Sequence, residues 1–150
     1  MPPSEWIPQT QLILNSYRRL LGRELIDRSA SPEVDAKRLF EAPVVVVSHG
    51  TQADPILNYG NRAALELWEM DIETLLATPS RETAERVHRD ERARLLAETA
   101  AKGYIENYAG IRVSSSGKRF RILAATVWSL TDESGIPRGQ AAAFRDWEPL

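Results

Sequence analysis

The first third of the chain carries apolar residues at spacings of three and four. Ile13, Leu14, Tyr17, Leu20, Leu21 and Leu25 fall on one stripe, which predicts an amphipathic helix over residues 10–26. Thr10 is placed to cap it, and Gly22 weakens its interior by about 1 kcal/mol relative to alanine. Ser31-Pro32-Glu33 predicts a second helix through a capping hydroxyl, a proline in the first turn and an acid at the positive end. That helix runs to about Glu41 and presents Val34, Leu39 and Phe40. At Pro43 the pattern changes. The run "PVVVV" (43–47) is short, β-branched and apolar throughout, which predicts a strand buried on both faces. Asp54-Pro55 makes a turn, and "ILNYG" (56–60) is a second strand that pairs with the first as a hairpin.

Residues 61–78 return to helical spacing, with a cap at Asp71. Thr78-Pro79 opens a further helical stretch to Gly103, with a break near Asp90. Its buried side is marked by Ala84, Val87, Leu95, Leu96 and Thr99. Its wet side is marked by Arg81, Glu82, Arg86, Arg89, Glu91, Arg92 and Glu98. From Tyr104 the period is two. Strands are predicted at 104–113, 118–130 and 138–147, joined by Ser115-Ser116-Gly117 and Asp132-Glu133-Ser134-Gly135. Within 118–130, Phe120, Ile122, Ala124, Thr126 and Trp128 share one face, and Arg121, Leu123, Ala125 and Val127 the other. Beyond Arg121 both faces are largely apolar, so both require cover.

These elements make an α+β fold: one five-stranded antiparallel sheet with helices crossing one face. The amphipathic helix at 10–26, or the sheet of a second copy, covers the other face. The expected division is an N-terminal helical cap, 1–42, and a sheet domain, 43–150. A chain of 150 residues suits a single core.

Composition narrows the chemistry. The formal net charge of -2 argues against non-specific nucleic-acid binding, which needs a surplus of Lys and Arg. The chain has no cysteine, which excludes disulfides, thiolate nucleophiles and cysteine metal sites, and its two histidines are too few for a His-rich zinc centre. The start "MPPSEWIPQ" has no basic region followed by an apolar run, and the longest aliphatic run is Val44–Val47. The expectation is a cytoplasmic protein with no membrane contact.

The motif "SSSGKR" brings to mind a phosphate loop and fails as one. Arg112 stands where its first glycine belongs, Arg119 stands where a magnesium-binding hydroxyl belongs, and a strand follows in place of a helix. It is read as a hairpin turn. Ser114, Ser115 and Ser116 have no nucleophile elbow. The helical acids Glu82, Glu85, Glu91 and Glu98 interleave with arginines as ordinary ion pairs. His49 is read as structural or solvated. His88 is weighed as a haem ligand against a histidine among surface charges, and the second reading is preferred. Trp68, Trp128, Trp147, Tyr104 and Tyr108 fit core packing better than a flat-ligand pocket. Tyr108 and Arg112 share a strand face with Gly110 between them. With Arg81 and His88 they are the polar cluster that a small enzyme would need.

The stretch "ILNYGNRAALELW", followed by helices and then by "GYIENYAGIRVSSSGKRFRILAATVWSLTDESGIPRGQAAAF", resembles the MEKHLA domain, a relative of the PAS sensory domains. Upstream, "SYRRLLGREL" and "SRETAERVHRDERARLL" are similar as well. The resemblance implies a domain, not an enzyme, that senses light, oxygen or redox state through a bound small molecule or a partner. It implies that Asn61 ends the second strand and caps the next helix, and that Leu123, Ala125 and Val127 face a cavity. The absence of cysteine removes flavin-adduct photochemistry, and the cofactor stays unidentified. The candidate ligand-binding set is Asn61, Trp68, Arg81, His88, Tyr108, Arg112, Leu123, Ala125 and Val127. The expected partners are a small-molecule ligand, a second copy docked through the N-terminal helix or the sheet face, and a separate signalling protein. The alternatives are a ligand-free dimerisation module and a small cone-shaped enzyme using the Arg/His/Tyr cluster.

Overall fold

Helix α1 (Trp6–Leu21) starts well before Thr10 and stops at Gly22 in the computed structural model, which describes residues 2–150. Pro8 sits in the first turn, where its missing N–H costs nothing. Gly22 adopts φ 72°, and its N–H donates to the Arg18 carbonyl at 2.9 Å, closing the helix with a left-handed cap. The glycine expected to weaken the helix therefore ends it. Leu25 leaves the stripe but stays buried in the following loop. Thr10 is not a cap; it is buried in mid-helix, and no side chain caps Glu5.

Helix α2 (Pro32–Glu41) forms as its capping signals require, with the Ser31 hydroxyl accepting from Val34 N at 3.3 Å. Val34 faces solvent, and Asp35 takes the buried position instead. Its carboxylate accepts from Ser29 N at 2.7 Å, Gln11 Nε2 at 3.1 Å and Arg28 Nε at 3.3 Å, tying α2 to α1 and to the loop between them. Burial opposes its ionisation, but these hydrogen bonds prevail and hold its pKa below the usual carboxylate range.

Strands β1 (Val45–His49) and β2 (Leu57–Gly60) pair as the expected hairpin. The helical stretch 61–78 divides into α3 (Arg62–Trp68) and α4 (Ile72–Leu76), capped by Asn61 and Asp71. The stretch after Pro79 is not one helix. Leu57 N donates to the Thr78 carbonyl at 3.0 Å and Ser80 N to the Pro55 carbonyl at 2.8 Å, so the backbone is committed to the entry of β2. Two single 3-10 turns follow, Ser80–Thr83 and Arg86–His88, and only then α5 (Arg89–Lys102). Val87, expected to be buried, stands 78% exposed on the second turn.

Strands β3 (Tyr104–Val113), β4 (Arg119–Thr131) and β5 (Pro137–Phe144) match their predicted ranges closely. A sixth strand, β6 (Asp146–Pro149), extends the line of β5. Ala143 lies opposite Thr126 and Asp146 opposite Leu123, so one register runs along β4 with an interruption at Arg145. The antiparallel sheet has the order β2-β1-β5-β4-β3, with β6 also on β4. Helices α3 and α5 and the 3-10 turns cover one face, and α1 and α2 cover the other.

The predicted alternation along β4 breaks at Ala124, whose φ is 49°. Between the pairs Gly110–Ile122 and Tyr108–Ala125, β4 spends one residue more than β3. The face assignment reverses there. Phe120, Ile122 and Ala125 pack with α3, and Val127 lines the space beneath α5, whereas Trp128 and Leu130 pack under α1. The fully buried Trp128 donates through Nε1 to the Ile13 carbonyl at 3.3 Å and meets Tyr17 edge-on, with ring centroids 4.9 Å apart. Cover for this face therefore comes from α1 of the same chain.

Asn61 joins α2, β1 and α3. Its Oδ1 accepts from Val46 N at 3.1 Å and Ala64 N at 3.2 Å, and its Nδ2 donates to the Val44 and Leu39 carbonyls at 2.7 and 3.0 Å. The residue is fully buried. Asn61→Ala would leave several buried backbone groups unpaired, and is expected to lower unfolding free energy by about 3 kcal/mol in a urea titration. A loss below about 1 kcal/mol would mean that water or local rearrangement replaces those bonds.

Candidate functional site

Between the sheet and α5 lies a cavity of about 70 Å³. Its apolar wall comes from Val47 on β1, Leu95 on α5, Ile122 and Val127 on β4, and Phe144 on β5, with Trp68 from the end of α3. Its polar wall is His49, Ser80, Thr83, Arg92, Tyr108, Arg112 and Gln140. The space suits several waters or a ligand of a few heavy atoms.

Each polar group is positioned by its element. On β1, Val45, Val47 and His49 share a face by the two-residue period. Gly139 makes room beside them: at φ 126° it brings its Cα so close that a Cβ would strike the His49 carbonyl. On α5, Arg92, Leu95 and Thr99 form one inward stripe. On β3, the Tyr108 ring lies across Gly110, where any Cβ would collide with it. This brings the Tyr108 hydroxyl within 3.0 Å of Arg112 Nη2, from which it accepts, while donating to Glu91 Oε2 at 2.9 Å.

Two guanidinium groups dominate the electrostatics. Arg92 and Arg112 are 8% and 6% exposed. Arg92 donates through Nη2 to Ser80 Oγ, and Arg112 donates through Nη1 to the Ile111 carbonyl at 2.8 Å. Among the described residues, neither forms an ion pair with a carboxylate. Burial, then repulsion from Arg112, pushes Arg92 down to about 10, so it stays charged at neutral pH. Burial raises the Tyr108 hydroxyl above its ordinary value. Burial, with Arg92 adding to it, lowers His49 to about 4. The neutral His49 lies 2.8 Å from Ser80 Oγ through Nδ1. Because Ser80 Oγ accepts from Arg92, its own proton is free for Nδ1, and the Nε2–H tautomer of His49 follows.

Of the residues singled out from the sequence, Trp68, Tyr108, Arg112 and Val127 line this cavity. The others lie elsewhere. Asn61 is consumed by its four backbone contacts. Arg81 pairs with Asp54 at the surface, 3.1 Å away. His88 sits half-exposed on the turn Arg86–His88, outside the lining. Leu123 is on the opposite face of β4 because of the break at Ala124, and Ala125 is buried among Trp68 and Phe120 without reaching the cavity. The proposed enzyme cluster is thus divided, with Tyr108 and Arg112 inside and Arg81 and His88 outside. Arg92, read as solvated, and His49, read as structural or solvated, are inside. Both were marked by period: His49 continues Val45 and Val47, and Arg92 precedes Leu95 and Thr99 on their stripe.

The serine-rich turn "SSSGK" has a structural task. Ser114 Oγ donates to Glu69 Oε2 at 2.6 Å, Ser115 Oγ to the Glu69 carbonyl at 2.6 Å, and Ser115 N to the Trp68 carbonyl at 3.0 Å. The turn caps the C-terminus of α3 and so fixes Trp68.

A family model for the MEKHLA domain matches residues 7–149. No curated protein matches the chain in sequence. Solved structures share its fold. The PAS domain of a protein from Colwellia psychrerythraea is 14% identical with a TM-score of 0.66, over 76% of this chain and 94% of that one. A light-oxygen-voltage domain studied with a flavin analogue is 14% identical with a TM-score of 0.60, over 77% and 83%. The light-state dimer of the fungal blue-light photoreceptor Vivid is 12% identical with a TM-score of 0.59, over 87% and 91%. The absence of cysteine removes a flavin–cysteine adduct, and the 70 Å³ cavity is too small for a flavin, far below the roughly 300–1,000 Å³ of sites for drug-sized ligands.

The lowered pKa of His49 has a consequence for stability. Between pH 6.5 and about 4 the unfolded chain binds a proton there that the folded chain refuses. Stability from this group is therefore complete above pH 6.5 and falls as pH drops through the window. Urea unfolding at pH 7, 6, 5 and 4.5 should show a loss on the order of 3 kcal/mol in the wild type that His49→Gln largely removes. Equal losses in both proteins would assign the slope to other groups.

Proposed function

The chain belongs to the MEKHLA domain family, which is related to PAS domains, and on that premise we propose that it is a sensory domain whose cavity binds a small molecule. Occupancy of the cavity shifts β4, β4 shifts α1, and α1 reports to a separate chain. In this reading residues 1–42 are the cap and residues 43–150 the sensing body. The contact set is Trp68, Tyr108, Arg112 and Val127 together with His49 and Arg92.

The observation that carries the reading is the adjacency of Val127 and Trp128. One lines the cavity, and the next is locked to α1 through the Ile13 carbonyl and the Tyr17 ring. A displacement that a ligand imposes on Val127 cannot leave Trp128 in place, since a packed core answers small shifts by moving between discrete arrangements. The ligand acts by population shift and needs only to favour one arrangement of β4 and α1. The outer side of α1, where Arg18 and Arg19 are exposed, is the surface on which a second copy or another protein would read the change.

Trp128→Phe keeps an aromatic core and removes the bond to Ile13. It is expected to speed hydrogen exchange across α1 by about tenfold while exchange in β1 and β5 stays near wild type. Unchanged protection of α1 in the folded variant would remove the coupling route.

A further inference from the structure

We propose that the ligand is a compact monocarboxylate, held by Arg92 and Arg112 with its short apolar body against Leu95, Ile122 and Val127. This assignment rests on the sensory reading of the same cavity and names the chemistry that the reading leaves open.

The first ground is uncompensated charge. Two guanidiniums are more than nine-tenths buried, and among the described residues each is bonded only to neutral oxygen atoms. Burying a charge without an opposite partner is costly, and such groups are ordinarily paired. The second ground is an excess of donors. Ser80 Oγ is engaged by Arg92 and His49, and the Tyr108 hydroxyl by Arg112 and Glu91. The Gln140 amide nitrogen is spent on the Leu96 carbonyl. Trp68, lining the same cavity, has a buried Nε1–H with no acceptor among the described residues. A carboxylate accepts through both oxygens and donates nothing, which matches guanidinium forks.

Charge and size narrow the class. Glu91 reaches the cluster only through the Tyr108 hydroxyl, so it adds one negative charge nearby without pairing directly with either guanidinium. The nearby Arg89 and Asp54 act on Arg92 in opposite senses. About one positive charge is left, which favours a monoanion. The aliphatic wall favours an organic anion over inorganic phosphate. A space of 70 Å³ admits a short chain only, roughly two to four carbons.

The test is a thermal-shift and calorimetric titration of the full chain with sodium acetate, propionate and butyrate at constant ionic strength. Propionamide serves as the neutral isostere, and inorganic phosphate as the inorganic anion. At a hundredfold excess over Kd, propionate or butyrate should raise Tm by about 5 °C or more, and propionamide should not. Arg112→Gln should weaken the carboxylate at least tenfold. Should that variant not fold, Arg92→Lys, which keeps the charge and loses the fork, should also weaken it. Equal stabilisation by propionamide, a preference for phosphate, or no binding by any carboxylate would overturn the assignment. Carboxylate binding with unchanged hydrogen exchange in α1 would instead overturn the sensory reading and leave the anion site standing.

Discussion

Downstream of Ala124, strand β4 is covered on both faces, and that constraint organises the molecule. A strand with two covered faces cannot slip by one residue without exchanging the residues of two cores. The chain places its longest strand in this position and flanks it with β3 on one side and β5 and β6 on the other. The left-handed residue Ala124 then resets which side chains face which core. Upstream of it, Phe120 and Ile122 serve the α3 side. Downstream, Val127 serves the cavity and Trp128 serves α1. The cap and the cavity wall are thus consecutive residues of one backbone, and neither can be redesigned alone.

The polar wall shows a second constraint, since the positions of its charged groups depend on small residues elsewhere. Tyr108 can lie along β3 only because residue 110 is glycine, and only that posture brings its hydroxyl to Arg112 and Glu91. His49 keeps its place beside Gln140 because residue 139 allows close approach of β5. Ser80 reaches the site because the chain after Pro79 bonds back to Pro55 and does not enter a helix. Each of these local choices departs from regular structure, and all of them converge on the same small volume.

Most of the fold was legible because it follows period and punctuation. The capping signals at Ser31, Asn61 and Asp71, the valine run and the two turns after Tyr104 each specify their element locally. What escaped was set by long-range partners. The bulge at Ala124 depends on how β3 pairs, which no alternation along β4 reveals. The end of α1 at Gly22 was misjudged because a glycine inside an apolar stripe reads as a weakness, while Leu25 stays buried after the helix has ended. At the site, Tyr108, Arg112, Trp68 and Val127 were singled out. Arg92 and His49 were passed over because charge was weighed above periodicity. An arginine on the same stripe as a leucine and a threonine is inward-facing, whatever its charge, and its burial then asks for a partner.

That demand for a partner links the chemistry of the site to its coupling. A core filled by apolar groups would be indifferent to small polar solutes, because nothing in it would gain by contact with one. Here the indifference is broken by two positive charges in a polar wall that faces an apolar one. For the proposed anion, the attraction of this wall would depend on the spacing of Arg92 on α5 and Arg112 on β3. A ligand shifts a conformational equilibrium only by the difference in its affinity for the two states. Charges on separate elements, one a helix and one a strand, make that difference large for small movements, because electrostatic attraction in a dry site is steep with distance. The same two elements flank β4, so tightening them on an anion presses on the strand that carries Trp128 to α1.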